Sequence, residues 1–551
     1  MLKENFVQTL EASIKHNWEL PAFTDYKGEH HTYSDVALKI ARIHVVFEQC
    51  GVQRGDKIAL VGKNSSNWGI IYLATITFGA VIVPILPDFK PAEIHNIVNH
   101  SDSVVLFSGD QIVKSLDPGS MPGLKAVFTI AGLDFVTESG VPELADTLKN
   151  LDRLFTEKYT DGYTAETISY PEVSNETLAV ISYTSGTTGF SKGVMLNHNS
   201  LMANVRYAQN NMPLEAGDNI VSFLPLAHAY GCAFEFLFPF SLGCHITFLT
   251  KTPSPAVIME AFEAVKPRLV LSVPLVIEKI YKKQLIPVIT KFPMNMLMKI
   301  PLANQLIFKK IKAKLSGVFG GNFHEIVIGG APFNQEAELF FRKIKFPYTV
   351  GYGMTECGPL ISYASWNTVK FRSAGRPVDT LEIKIDSTNP SKEVGEILVR
   401  GENVMQGYYK NEEATRPVLD EEGWLHTGDL GLIDKNQNIF IKGRNKSMIL
   451  GPSGQNIYPE EIEARINNFP YVAESLVVEK NHKLIALIYP DFESMEKDQV
   501  ADEELKEIFE EHRKHLNEHA PGFMNVIEFR RHDQEFEKTP KRSIKRFLYT
   551  E

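Results

Sequence analysis

Residues 181–197 read ISYTSGTTGFSKGVMLN, and this stretch decides how the rest of the chain is interpreted. It opens with apolar residues typical of a short buried strand and continues as a loop rich in glycine, serine and threonine. Glycines let a backbone approach a ligand closely, while free N–H groups, hydroxyls and a lysine such as Lys192 suit an anion. The G-x-x-x-x-G-K-[ST] spacing of a Walker A loop is absent, because Gly186 and Gly189 are three residues apart and Gly193 follows Lys192. The stretch therefore predicts a phosphate-binding loop between two strands, although the glycines alone would also fit a flexible hairpin turn.

The composition is that of an ordinary folded protein with several structural units. The chain has 551 residues, of which 44% are hydrophobic and 23% charged, and this length exceeds what one compact core accommodates. The net charge of −10 argues against a general nucleic-acid-binding protein. The four cysteines are far apart and lack the spacing of a metal site, which predicts free buried thiols in a reducing cytoplasm: Cys50, Cys232, Cys244 and Cys357.

Two segments bear on membrane association. Residues 1–20 carry both acidic and basic side chains and lack the apolar core of a signal peptide. Gly69–Leu86 is uncharged and long enough to raise the question of a transmembrane helix. Gly79 and Pro84 divide this run, and its β-branched second half is typical of a strand, so we predict a buried helix followed by a strand. The expected location is the cytoplasm.

Helix and strand patterns alternate in residues 1–110, which predicts a parallel sheet with helices on its faces. Residues 111–175 are rich in loops and allow few assignments. From about Gly375 the pattern changes to short strands separated by turns, and beyond about Ser447 strands and helices mix again. The predicted fold class is α/β, with a large N-terminal domain of layered α/β subdomains plus a small β subdomain, followed by a small α+β C-terminal domain.

A second candidate motif is GYGMTE at 351–356. A carboxylate beside a phosphate site needs a counter-ion, and Mg²⁺ supplies one because it takes oxygen ligands and bridges carboxylate to phosphate oxygens. The alternative is a turn with a solvated glutamate. GGAP at 329–332 follows a predicted strand, and its small residues leave room for a flat base, although GGAP is also an ordinary turn.

Three further residues are candidates for ligand contacts. Asp429 ends the segment GWLHTGD, and Arg444 follows fifteen residues later. A buried aspartate can accept both hydroxyl protons of a ribose, and an arginine can meet the same ribose or a phosphate. His228 lies in PLAHAYG at 225–231, and a lone histidine is more often a satisfied core residue than a functional one.

Taken in order, these motifs resemble those of the adenylate-forming superfamily, which includes acyl-CoA synthetases, the adenylation domains of peptide synthetases and luciferases. YTSGTTGFSKGV resembles the signature loop, and the other motifs follow along nearly the whole chain. The resemblance implies activation of a carboxylate by ATP and Mg²⁺ to an acyl-adenylate, followed by transfer to coenzyme A. It also implies an N-terminal domain at 1–445 and a mobile C-terminal domain at 446–551, with a hinge near Lys446. The alternative for Lys446 is a solvated surface lysine.

The same resemblance implies a role for each motif residue. Thr184 and Glu356 would hold Mg²⁺ and take part in catalysis, and His228 would lie at the carboxylate end of the acyl pocket. Thr355 would meet the α-phosphate, and Tyr352 would stack on adenine. The residues implied to contact ATP, the hinge or coenzyme A are Thr184, Ser185, Gly186, Thr187, Thr188, Gly189, Lys192, Gly330, Ala331, Pro332, Tyr352, Gly353, Thr355, Asp429, Arg444, Lys446 and Gly454, of which Gly454 would line the pantetheine tunnel.

Members of the superfamily also carry a C-terminal lysine that bridges the acyl carboxylate and the α-phosphate, where a positive charge acts most strongly in the transition state. Here residues 539–547 read TPKRSIKRF. This segment is similar to the TP-x-x-K-x-K-R ending of long-chain members, but Ser543 occupies the position of the first lysine. Lys545 lies nearest to the expected distance from Pro540, and Lys541 is the alternative.

Residues 276–320 alternate basic and apolar side chains, which predicts a helical insertion. The insertion resembles that of long-chain fatty acid–CoA ligases and implies a fatty acid substrate. Its basic and apolar face would suit peripheral contact with anionic lipid, or it is a solvated helix pair. The alternatives are another carboxylate (aryl, medium-chain, short-chain or amino acid), an acyl carrier protein as acceptor, or a regulator that binds acyl-adenylate with weak catalysis. We expect a monomer or homodimer.

Overall fold

The computed structural model describes residues 2–136, 142–184, 191–251, 253–289, 300–450, 456–481, 483–539 and 544–549. Within them, buried apolar side chains form one large hydrophobic core that extends from Phe6 to Ile439. Two smaller cores begin at Ile457 and Leu476. Because each domain needs a core of its own, this separation marks a large N-terminal and a small C-terminal unit.

The main sheet of the N-terminal part has seven strands. From one edge to the other the strands are Gly407–Tyr408, Lys192–Asn197, Leu178–Thr184, Val81–Ile85, Lys57–Val61, Ser103–Ser108 and Ala126–Thr129. The five strands from Leu178–Thr184 onward run parallel, as the alternation of helices and strands predicts, whereas the two at the other edge are antiparallel to their neighbours. The predicted phosphate loop lies in the sequence between the second and third of these strands.

Two further sheets extend the α/β architecture. A four-stranded sheet has the order His30–Thr32, Pro21–Asp25, His245–Phe248 and Asn219–Ser222. A parallel sheet has the order Leu269–Ser272, Glu325–Ile328 and Tyr348–Val350. The main helices of this part are Phe6–His16, Tyr33–Gln49, Ser66–Phe78, Pro91–His100, Pro142–Leu148, Leu151–Lys158, His198–Asn211, Pro255–Val265, Pro274–Ile280, Pro301–Val318 and Gln335–Lys343.

Short antiparallel strands follow the α/β part, as predicted. One sheet contains Tyr352–Gly353, Leu360–Tyr363 and Arg376–Pro377, and the next contains Leu381–Asp386, Gly395–Gly401, Leu425–Ile433 and Ile439–Arg444. The last of these strands leads into a 3₁₀-helix, Asn445–Ser447, which connects to the C-terminal part.

The C-terminal part is a small α+β unit. Its strands are Ile449–Leu450, Asn456–Ile457, Val472–Lys480, Lys483–Pro490 and Val526–Arg531, and its α-helices are Pro459–Ile466, Phe492–Asp498 and Asp502–Glu518. The predicted mixture of strands and helices beyond Ser447 is confirmed.

The uncharged run Gly69–Leu86 is a buried helix and strand, as predicted. The helix Ser66–Phe78 begins where the Ser65 side chain accepts a hydrogen bond from Trp68 N–H, and it ends at Gly79 with a left-handed φ of 84°. The strand Val81–Ile85 follows and is fully buried in the main sheet. Across the described ranges, no helix is both long enough and apolar enough to cross a bilayer.

Candidate active site

The two strands that flank the predicted phosphate loop in sequence are adjacent and antiparallel in the main sheet. Thr184 ends one strand and Lys192 begins the next, and the two residues face each other across the pair. The Thr184 hydroxyl lies 3.5 Å from the Lys192 carbonyl oxygen, to which it donates. This pairing fixes both ends of the loop. The loop residues themselves lie outside the described residues: Ser185, Gly186, Thr187, Thr188 and Gly189.

An aromatic side chain connects Lys192 to Glu356. The Lys192 ammonium lies 4.7 Å from the centre of the Tyr408 ring, and the Tyr408 hydroxyl donates a 2.9 Å hydrogen bond to Glu356 Oε1. Tyr408 reaches this position because Gly407–Tyr408 pairs with the strand that Lys192 begins. No local motif marks Tyr408, so the sequence alone does not predict it as a site residue.

Glu356 fits the requirements of a magnesium ligand. It lies half-buried in the 3₁₀-helix Thr355–Cys357, and its backbone carbonyl accepts a 2.9 Å hydrogen bond from Met405 N–H, which fixes the turn. A carboxylate here and the Thr184 hydroxyl at the hairpin end are hard oxygen donors of the kind that Mg²⁺ binds. The nearby Lys192 cation suits the phosphates that such an ion would bridge.

Asp429 is the centre of a second polar cluster. Its Oδ2 accepts a 2.7 Å hydrogen bond from the Tyr352 hydroxyl, and its Oδ1 lies 3.1 Å from Nε of Arg444. Asp429 and Arg444 face each other on adjacent antiparallel strands. Burial raises the pKa of Asp429; the Arg444 guanidinium and the Tyr352 hydroxyl oppose this rise, and the negative charge of Glu356 adds to it. The charge of Glu356, which accepts the Tyr408 hydroxyl, therefore acts on the cluster around Asp429.

GGAP follows directly from the buried strand Glu325–Ile328. Gly330 has a left-handed φ of 87°, which favours glycine, and a Cβ placed on Gly329 would lie 3.1 Å from the Tyr230 ring. The Tyr230 hydroxyl donates a 3.0 Å hydrogen bond to the Val327 carbonyl oxygen. Gly330, Ala331 and Pro332 are exposed at this strand end.

His228 lies two residues before Tyr230 in the segment that follows the strand Asn219–Ser222. It is half-buried and precedes the short helical turn Ala229–Gly231. Its backbone N–H donates to the Pro225 carbonyl oxygen at 3.0 Å, and its backbone carbonyl accepts a hydrogen bond from Cys232 N–H at 3.0 Å. The backbone around His228 is thus fixed, and the hydrogen bond of Tyr230 to Val327 ties this segment to the strand that leads to GGAP.

The C-terminal candidates occupy different surroundings. Lys446 is exposed in the 3₁₀-helix that directly follows Arg444. Lys545 follows Ile544, which forms an isolated bridge with Lys538. The Lys545 backbone N–H donates to the Glu537 carbonyl oxygen at 2.8 Å, and its Nζ lies 3.5 Å from the Glu537 carboxylate. The neighbouring Arg546 pairs with the buried Glu463. Lys541 and Gly454 lie outside the described residues.

The fold and this site define a class of protein. A family model for the AMP-binding enzymes matches residues 10–409, and a model for the C-terminal domain of AMP-binding enzymes matches residues 446–551. The chain therefore belongs to the AMP-binding enzyme family.

Individual relatives cover most of the chain. A long-chain-fatty-acid–CoA ligase of Mycobacterium bovis, FadD15, is 29% identical over 501 residues, which cover 84% of this chain and 78% of the relative. A 4-coumarate–CoA ligase of Narcissus pseudonarcissus is 28% identical over 465 residues, or 81% and 76% of the two chains. The structure of o-succinylbenzoate–CoA synthetase from Bacillus subtilis, in complex with ATP and magnesium ion, superposes with a TM-score of 0.74 at 20% identity and covers 98% of both chains.

Proposed function

We propose that the protein converts a long-chain fatty acid to its acyl-CoA thioester, consuming ATP and releasing AMP and pyrophosphate. The observation that supports this proposal most strongly is the arrangement of Lys192, Tyr408 and Glu356 beside the Tyr352–Asp429–Arg444 cluster. The Lys192 cation and the Glu356 carboxylate suit a metal-bound triphosphate. The buried Asp429 paired with Arg444 suits a ribose.

In the first step, an oxygen of the fatty acid carboxylate attacks the α-phosphorus, and the bond from that phosphorus to the bridging oxygen breaks to release pyrophosphate. The loop from Thr184 to Lys192 holds the phosphates, and Thr355 meets the α-phosphate. Glu356 and Thr184 would hold Mg²⁺, which would supply charge neutralisation of the phosphates. Lys545, with Lys541 as the alternative, supplies the positive charge that the crowded reacting oxygens need.

In the second step, the thiolate of coenzyme A attacks the acyl carbon, and AMP leaves with the bonding electrons. We propose that His228 borders the carboxylate end of the acyl site and that Gly454 lines the path of the pantetheine arm. Adenine lies against Gly330, Ala331, Pro332, Tyr352 and Gly353, and Asp429 and Arg444 hold the ribose. The Tyr352 hydroxyl keeps the Asp429 carboxylate oriented for this contact.

The long-chain fatty acid is supported by the relatives among long-chain-fatty-acid–CoA ligases and by the helical insertion around Pro301–Val318. Aryl acids form the second candidate class, because a 4-coumarate–CoA ligase is almost equally similar to the chain. Acid-dependent exchange of pyrophosphate into ATP, measured without coenzyme A, tests the adenylation step for each acid. Exchange with palmitate above that with 4-coumarate supports the proposal, whereas exchange with 4-coumarate alone would replace the substrate class.

We further propose that the two domains meet at Lys446 and alternate about this residue between the two steps. Replacement of Lys446 by proline fixes φ at this position, so thioester formation is expected to fall at least tenfold while adenylation falls less than threefold. Lys446→Ala is the matched control, because it removes the charge but leaves the backbone free. Single-turnover rates for the two steps make the comparison, and an equal loss in both steps would count against the hinge.

We also propose a cytoplasmic enzyme that contacts anionic membrane surfaces through the helix Pro301–Val318. This helix contains no acidic residue and four lysines, which are Lys309, Lys310, Lys312 and Lys314. Leu306 is 67% exposed and Ile300 is 46% exposed at its start. A basic helix with exposed apolar residues binds anionic lipid through charge and burial together.

Vesicle co-sedimentation tests the membrane contact. The wild-type protein is expected to bind vesicles containing phosphatidylglycerol and to remain free of pure phosphatidylcholine vesicles. Replacing Lys309, Lys310 and Lys314 by glutamate should abolish this binding, whereas the exposed control pair Lys392→Glu and Lys435→Glu in the β subdomain should preserve it. Equal binding of both variants would show that the helix is not the contact surface.

A further inference from the structure

The loop that carries His228 begins where an edge strand of the four-stranded sheet ends, so its backbone no longer pairs with a neighbouring strand. The strand Asn219–Ser222 ends at Ser222, and the next residues, 223–228, form a loop that leads to the turn at Ala229–Gly231. A buried backbone N–H that has lost its strand partner must be paired by another group, because leaving it unpaired is costly. Side chains pair three N–H groups of this loop, those of Phe223, Leu224 and Leu226.

Glu235 supplies the first of these partners. Its Oε2 accepts hydrogen bonds from the N–H groups of Phe223 and Leu224, both at 3.0 Å. Glu235 is 0% exposed and belongs to a π-helical turn, Cys232–Leu237, that continues from the turn after His228. Wide turns of this kind are uncommon and concentrate at functional sites. The chain therefore folds back so that a side chain after His228 holds the backbone before it.

Asn64 supplies the second partner from a different part of the chain. Its Oδ1 accepts Leu226 N–H at 3.0 Å, and its Nδ2 donates to the Leu224 carbonyl oxygen at 2.7 Å and to the Ser222 hydroxyl at 3.2 Å. Asn64 and Glu235 thus hold the same short loop from two sides, and both are buried.

The pKa of the Glu235 carboxyl is set by its buried surroundings. Burial raises the pKa of Glu235 well above its ordinary value, and the hydrogen bonds from Leu224, Ser222 and Phe223 oppose this rise only in part. No cation contributes among the described groups that influence this carboxyl, and its Oε1 has no hydrogen-bond partner within the described residues. A glutamine at this position would match Glu235 in shape and keep an oxygen that accepts the two N–H groups.

We propose that Glu235 is a positioning residue for the acid substrate: by holding the backbone of Phe223 and Leu224 from inside the protein, it sets the place of His228 and Tyr230. The inference rests on the proposed role of this loop at the carboxylate end of the acyl site. Glu235 does not touch the reacting atoms, and its action passes through the loop to His228, which borders the carboxylate end of the acyl site, and to Tyr230 beside it.

Three substitutions of Glu235 test the proposal. Glu235→Gln keeps the acceptor oxygen, and its KM for the acid is expected to stay within about threefold of wild type. Glu235→Asp shortens the reach to the two N–H groups, and Glu235→Leu removes the acceptor, so the KM for the acid should rise about threefold and at least tenfold respectively. The KM for ATP should change less than twofold in all three. Equal rises in both KM values, or a lower melting temperature with unchanged KM values, would overturn the positioning role.

Hydrogen exchange separates this inference from the proposed function. Peptides covering residues 219–228 should exchange faster in Glu235→Leu than in wild type and at the wild-type rate in Glu235→Gln. Unchanged exchange in Glu235→Leu would show that the side chain does not hold the loop, whatever the activity. If the wild type activates no acid, the proposed function fails, while the exchange result still decides whether Glu235 holds the loop. Should Glu235→Leu not fold, Glu235→Asp and Asn64→Ala provide the same comparison.

Discussion

Replacing Glu356 by glutamine is expected to lower kcat/KM for adenylation by about three orders of magnitude, which corresponds to about 4 kcal/mol of transition-state stabilisation. Glutamine keeps the size of the side chain and an oxygen that accepts the hydrogen bond from the Tyr408 hydroxyl. It removes the negative charge that a magnesium ion requires at this position. The loss should therefore come from the metal site and not from a collapsed turn.

Pyrophosphate exchange over a range of Mg²⁺ concentrations measures this effect. The Glu356→Gln variant should need more Mg²⁺ for half-maximal activity. Tyr408→Phe is the matched control, because it removes the hydrogen bond to Glu356 and keeps the ring near Lys192; its loss should be about tenfold, as for one hydrogen bond to a charged group. Activity of Glu356→Gln within threefold of wild type, with an unchanged Mg²⁺ requirement, would exclude the magnesium role.

Replacing Lys545 by alanine is expected to slow adenylation by two to three orders of magnitude, about 3–4 kcal/mol, while thioester formation from supplied acyl-adenylate falls less than fivefold. The physical reason is that a lysine ammonium stabilises charge on the reacting oxygens only in the first step. In the structure Lys545 pairs with the exposed Glu537, an interaction of the weak surface type that the ammonium can exchange for phosphate.

Two other lysines provide the comparison for Lys545. Lys541→Ala tests the alternative position in the same segment. Lys538→Ala tests the effect of a structural lysine, because Lys538 lies 2.8 Å from Glu474 within the C-terminal domain. If Lys541→Ala abolishes adenylation and Lys545→Ala does not, the assignment of the catalytic lysine moves to Lys541. Equal, small effects of all three would show that this segment supplies no catalytic charge.

Much of the fold follows from local sequence patterns. The largely apolar run at residues 325–328 predicts the strand that the structure shows as Glu325–Ile328, and the helix pattern at residues 34–50 matches the observed helix Tyr33–Gln49. The start of that helix is set by the Thr32 side chain, which caps it together with Asp35. The described part of residues 111–175, by contrast, includes the helices Pro142–Leu148 and Leu151–Lys158, which no clear periodicity indicates. Amphipathic and capping signals act over a few residues, so they fix elements but not the order of strands in a sheet.

The residues of the candidate site also differ in whether the sequence predicts them. The Asp429–Arg444 and Thr184–Lys192 pairs arise from neighbouring strands of the chain, and their motifs identified them. Tyr408 joins Lys192 and Glu356 only because its short strand adds to the edge of the main sheet. Glu235 meets the loop before His228 only because a π-helical turn folds back on it. Contacts of this kind depend on tertiary structure, and no local pattern of residues predicts them.

Product analysis with ATP, Mg²⁺ and coenzyme A tests the central claim most directly, with palmitate, acetate, benzoate and 4-coumarate supplied in parallel. The proposed function predicts AMP, pyrophosphate and palmitoyl-CoA in equal amounts, with palmitate giving the highest kcat/KM. Another acid as the best substrate would contradict the fatty acid assignment. No AMP with any acid would contradict the catalytic account and favour a regulator that binds acyl-adenylate.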